Sequence, residues 1–134
     1  MGEDSRQAAR SGESGATIVE FLGVAVLIAF ALVTIIQFSM WVWARNVVTN
    51  AADEGARVAA ESGRSLAEGE SRTRSVLHDG LGGTANRFAV QGAQDGDAVI
   101  VRAEGRAPSI VPFLPPLPVR AAARAFDEDE AVPR

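Results

Sequence analysis

Apolar residues do not spread evenly along this chain; they collect in one block. From Phe21 to Ala44 there is no charged residue, and Phe21, Leu22, Val24, Val26, Leu27, Ile28, Phe30, Leu32, Val33, Ile35, Ile36 and Phe38 leave no polar face. As a helix rising 1.5 Å per residue, this stretch reaches about 36 Å, against about 30 Å for a bilayer's hydrocarbon core. Trp41, Trp43 and then Arg45 follow, the aromatic-then-cation order of a headgroup boundary. Phe21, Leu27, Phe30, Ile35, Phe38 and Ala44 are accordingly read as transmembrane, and Trp41, Trp43 and Arg45 as interface anchors. Gln37 interrupts the block; it can bond across a helix interface, or to its own backbone and the headgroups.

Beyond Arg45 the pattern becomes amphipathic. Val47, Val48, Ala51, Ala52, Ala56, Ala59 and Ala60 recur at helical spacing, with Asn50, Asp53, Glu54, Arg57 and Glu61 on other faces. The helix is expected to run from about Ala16 to Glu61, stopping at Ser62-Gly63. Small residues on the stripe suit close helix approach. The segment from Asn46 to Arg57 is either a docking face or a solvated helix end packed on the sheet. Ser65-Leu66-Ala67-Glu68 has the form of a capping box, so a second helix is expected to about Asp79, anchored by Leu66, Val76 and Leu77 and ended by Gly80, Gly82 and Gly83.

The period then changes to two. Arg87 to Gln91 alternates, with Phe88 and Val90 on one face; Asp95-Gly96 signals a hairpin; Asp97 to Glu104 and Val119 to Phe126 alternate again. Between the last two lies a link with Pro108, Pro112, Pro115, Pro116 and Pro118, which excludes a central strand or helix interior. Its Ile110, Val111, Phe113, Leu114 and Leu117 are expected to cover the small core, the other readings being partner or membrane contact. The fold class is thus an α+β membrane protein: a long N-terminal transmembrane α-helix, a second short helix and a small three-stranded antiparallel sheet. Four regions follow: 1–15, polar and mixed in charge, a leader or disordered tail; 16–62, the long helix; 63–126, a small α+β domain; and 127–134, an acidic tail.

Composition narrows the functional classes. Much of the 47% apolar content of these 134 residues sits in the spanning block, so the remainder supports only a modest core. The net charge of −4 argues against a nucleic-acid partner. The absence of Cys excludes thiolate chemistry and Cys-ligated zinc. His78 is the only His, and Ser75, His78 and Asp79 do not make a triad by proximity in sequence. No catalytic residue, cofactor, metal ligand or small-molecule substrate is expected. Arg6 and Arg10 before the block nearly balance Arg45 and Arg57 after it, so charge alone does not orient the helix.

Glu20 is the informative residue. A carboxylate at a helix centre in a bilayer costs about 2.5–3.5 kcal/mol, less near an interface, and a plain anchor has no use for one. It stands in Gly15-Ala16-Thr17-Ile18-Val19-Glu20-Phe21, the fifth residue after Gly15. A tolerated acid at the membrane edge and a plain linker glycine are the bland alternatives. The arrangement resembles type IV prepilins and pseudopilins, which a membrane peptidase cuts after a glycine on the cytoplasmic side, leaving glutamate at the fifth mature position. The resemblance implies cleavage between Gly15 and Ala16. The new α-amine at Ala16, cationic below a pKa of about 8, could pair with Glu20 of a neighbouring helix and fix subunit register.

Together with Asn50 and the run Glu54-Gly55-Ala56-Arg57, the sequence is similar to the TadE-like family, pseudopilins or minor pilins of the tight-adherence (Tad/Flp) pilus. That resemblance implies an N-terminus in the cytoplasm and a C-terminal domain outside it. The implied partners are membrane lipid, a prepilin peptidase, other pilin or pseudopilin subunits and Tad platform proteins. The alternative is an unprocessed single-pass membrane-anchored binding module at the cell surface.

Overall fold

A computed structural model describes residues 2–127, and the side chains from residue 14 onward together with Gly12. The order is α1 (Gly2–Ala60), α2 (Leu66–Leu81), a 3-10 helix (Gly82–Arg87), β1 (Ala89–Asp95), β2 (Ala98–Arg106) and β3 (Pro118–Phe126). This is the expected α+β arrangement. The acidic tail beyond Asp127 lies outside the described residues. Two compact units emerge, 1–36 and 37–134, so the boundary falls inside α1.

The end of α1 agrees with the sequence reading; its start does not. The helix begins at Gly2 instead of near Ala16. Residues 2–15 contain no proline, and polarity alone does not stop a helix.

In the unit 37–134 the stripe of small residues becomes the core. Ala44, Val48, Ala51, Ala52, Ala56, Ala59 and Ala60 are all buried, together with Leu77 and Leu81 of α2. α2 returns antiparallel to α1: Gly55 lies against Gly69 and Thr73, and Val47 against Gly80. A Cβ on Gly69 would stand 2.5 Å from the Ala59 Cβ and from the Gly55 carbonyl, so these two helices touch backbone to backbone. Thr73, fully buried at this crossing, donates its hydroxyl to the Gly69 carbonyl at 2.9 Å.

The capping box on α2 is present. Glu68 N–H donates to Ser65 Oγ at 3.3 Å, and Ser65 N–H donates to Glu68 Oε2 at 2.8 Å. Gly80, expected among the stops, instead lies inside α2, where Val47 leaves no room for a side chain. The helix ends at Gly82, whose φ of 56° reverses the chain, and the Gly82 N–H bonds the His78 carbonyl.

The sheet is an antiparallel meander in the order β1-β2-β3. Val90, Ala103 and Ala121 align across it, as do Gly92, Val101 and Ala123. These residues line the core side, while Arg102, Glu104, Arg120, Ala122 and Arg124 are exposed. β1 starts and ends later than the alternation from Arg87 to Gln91 suggested, because Gly82–Arg87 coils before the strand begins. The hairpin turns on Gly96-Asp97, one residue beyond the Asp95-Gly96 signal: Asp95 pairs with Ala98. Gly96 has φ 60°, as a turn with glycine at its first central position requires, and among the described residues no non-glycine has positive φ.

Candidate functional site

The first unit presents the helix residues singled out from sequence. Gly15, Ala16 and Glu20 are exposed on α1, and a Cβ at Gly15 would meet nothing within 4 Å. Beyond them runs a bare apolar surface: Phe21 is 74% exposed, and Leu27, Phe30, Ile35 and Phe38 are exposed as well. Thr34 donates its hydroxyl to the Phe30 carbonyl at 2.9 Å, so it is satisfied within its own helix. Burial by the other described residues therefore does not account for this segment. Among the described residues, α1 is the one helix long and apolar enough to cross a membrane.

The residues at the far end of the apolar block have a different environment. Ala44, assigned to the spanning segment, is fully buried in the core of the second unit. Gln37 is 7% exposed and is bonded to the β2–β3 link, not to another helix or its own backbone. Its Nε2 donates to the Pro108 carbonyl at 3.3 Å, and its Oε1 accepts from Ile110 N–H at 3.2 Å. Trp41 packs against the core, and its Nε1 donates to the Pro118 carbonyl at 3.2 Å. The Arg45 guanidinium sits 5.6 Å from the centre of the Trp41 ring. Trp43 is exposed. Of the three residues read as interface anchors, Trp41 thus takes part in the fold.

The helix motif divides by face. Glu54 binds Arg72 of α2, with Nη2 at 3.1 Å and Nε at 3.3 Å from the same oxygen. Gly55 and Ala56 are buried at the α2 crossing, whereas Asn50 and Arg57 remain exposed. The run is therefore largely a packing element of its own domain, and α2 occupies the face that sequence left open to a partner.

Sequence reasoning missed two features. Glu70 Oε1 accepts Gly92 N–H of β1 at 2.8 Å, tying the edge strand to α2. This bond first, and the Arg74 guanidinium 3.0 Å from the other oxygen, hold its carboxyl below the usual value. No local pattern marks a pair so far apart in sequence. The proline-rich link is the second. Phe113 is 91% exposed, and Ile110, Leu114 and Leu117 are exposed too, so the link does not cover the core as expected. The buried cluster is built from the helix stripe, Leu77, Leu81, Phe88 and the sheet's alanines and valines, and none of the link's large apolar residues joins it.

An exposed apolar helix carrying an acid at its head, followed in the chain by a small α+β unit, defines a class: proteins with one N-terminal helix suited to anchor them in a membrane. Within that class, residues 15–57 match the model of the family described as TadE-like protein. The match opens on Gly15, includes Glu20 and closes on Arg57, before α2 and the sheet. Comparison with curated proteins and with solved structures found no match.

Proposed function

We propose that this chain is a pseudopilin or minor pilin acting in assembly of a Tad/Flp pilus, cut by a prepilin peptidase between Gly15 and Ala16. The observation that carries this reading is Glu20: an exposed carboxylate at the head of a bare apolar helix, five residues after Gly15, inside the TadE-like stretch. In this reading residues 1–15 are the leader and face the cytoplasm, and the domain from residue 63 onward lies outside. The helix first holds the protein in the bilayer as a monomer. It then packs among other pilin subunits, helped by Tad platform proteins.

The role assigned to Glu20 follows from charge. Removing the leader creates an ammonium at Ala16, and a neighbour's Glu20 neutralises it where neither charge could otherwise stay desolvated. Breaking the pair leaves one charge orphaned, so it sets axial register between helices. Gly12 and Gly15 help the peptidase. Glycine is about 1 kcal/mol poorer than alanine in a helix, so α1 opens most readily beside the bond to be cut.

The test is co-expression with a prepilin peptidase followed by N-terminal sequencing. The mature chain is expected to begin at Ala16, and any other start removes the proposal. Glu20→Ala should insert in the membrane and be cut normally yet fail to assemble with its siblings. An anchored binding module would keep its location and function after the same change.

A further inference from the structure

The β2–β3 connection is the least expected surface of the molecule. A chain whose core is mostly alanine leaves Ile110, Phe113, Leu114 and Leu117 in the open. The loop is nonetheless built. Ala107 N–H bonds the Leu117 carbonyl at 2.9 Å across its base, and Leu114 N–H bonds the Val111 carbonyl at 3.2 Å within it. No charged residue occurs from Ala107 to Val119, and Arg106 and Arg120 stand immediately on either side.

Its attachment points give the surface a direction. The loop is hydrogen-bonded to Gln37 and Trp41 of α1, which lie toward the C-terminal end of the uncharged apolar block. In the sequence these residues stand where Trp41, Trp43 and Arg45 mark the headgroup end of a spanning segment. Arginine side chains gather at the same place. Arg45, Arg120 and Trp41 border one surface depression, and Arg87, Arg106 and Arg120 border the next, together with Glu104. Among the described residues none of these four arginines is paired with a carboxylate in a salt bridge. Exposed apolar side chains on a loop whose base is flanked by guanidinium groups match a leaflet surface, with acyl chains below and anionic phosphates above.

We propose that the 108–118 loop is a membrane-surface wedge. Phe113, Leu114 and Leu117 enter the interfacial zone of the leaflet in which the apolar run of α1 ends. Arg45, Arg106 and Arg120 take anionic lipid phosphates. The domain is thereby held against the bilayer by two contacts, helix and loop, instead of turning about the helix alone. The proposal rests on α1 spanning the membrane, and its test separates the two claims.

The natural chain has no cysteine, so single labels can be placed cleanly in the full-length protein. Phe113→Cys, Ala122→Cys on the exposed sheet face and Phe30→Cys in the apolar run would each carry an environment-sensitive fluorophore. Each is reconstituted in phosphatidylethanolamine–phosphatidylglycerol vesicles. Doxyl-labelled lipid should quench position 113 to within about twofold of position 30, and aqueous cobalt should quench it several-fold less than position 122. Cobalt reaching 113 as readily as 122 overturns the wedge while leaving the spanning helix intact. Protection of 113 from both quenchers overturns it in favour of a protein neighbour. Cobalt reaching position 30 removes the spanning helix, and the wedge with it.

Discussion

Glu70 shows how much a single side chain can hold in a small domain. Its carboxylate ties edge strand β1 to α2 through Gly92 N–H, and that bond keeps it ionised below the ordinary value of 4.5. A depressed folded-state pKa contributes stability that is complete above about 4.5 and fades as pH falls through the folded value. Glu70→Gln should therefore lower the thermal midpoint at neutral pH, by the equivalent of about 1 kcal/mol, and flatten the acid limb of the stability curve. Melting followed by circular dichroism at neutral pH and below about pH 4 measures both. Glu68 shifts in the same direction through Ser65 N–H, but it is common to both proteins and cancels.

At the scale of elements, the decisive contact is the α1–α2 crossing. Its backbones meet because Gly55 and Gly69 face each other, and a Cβ on Gly55 would stand 2.7 Å from the Gly69 carbonyl. Gly55→Val should cost about 3 kcal/mol by overpacking, read as a fall in thermal midpoint. Gly23→Ala, where nothing lies within 4 Å, should be tolerated. Elements were also where the sequence was most readable. The stripe from Val48 to Ala60, the capping box at Ser65 and the alternation of Val99, Val101 and Ala103 each follow from local periodicity. What local pattern could not carry was partner choice. Gly80 reads as a helix stop until Val47 is seen beside it. Gln37 reads as an anomaly in an apolar helix until Pro108 and Ile110 close on it. The β2–β3 link reads as a core cover because its composition is that of a core. Of the candidate site, the Gly15–Glu20 spacing was plain in sequence, whereas the partial absorption of the Glu54–Arg57 run by α2 depended on a contact with a helix further along the chain.

For the molecule as a whole, the division inside α1 matters more than the division between helix and sheet. Residues 37–60 supply Ala44, Val48, Ala51, Ala52, Ala56, Ala59 and Ala60 to the core, so a chain begun at residue 63 loses half of every helix–helix contact. Such a fragment should show little protected amide exchange, while a fragment begun at residue 37 should fold. Equal protection in both would mean that α2 and the sheet are self-sufficient.

The connectivity of this second unit also sets an order of events in time. The α1–α2 hairpin and the β meander join neighbours along the chain, and such closures cost little entropy and form early. The bonds from Gln37 and Trp41 to Pro108, Ile110 and Pro118 span 71 to 77 residues. On loop-closure entropy these long closures are expected to form last. Until they form, a newly made copy has its hairpins in place while the stretch from Pro108 to Pro118, closed at its own base, is not yet fastened to α1.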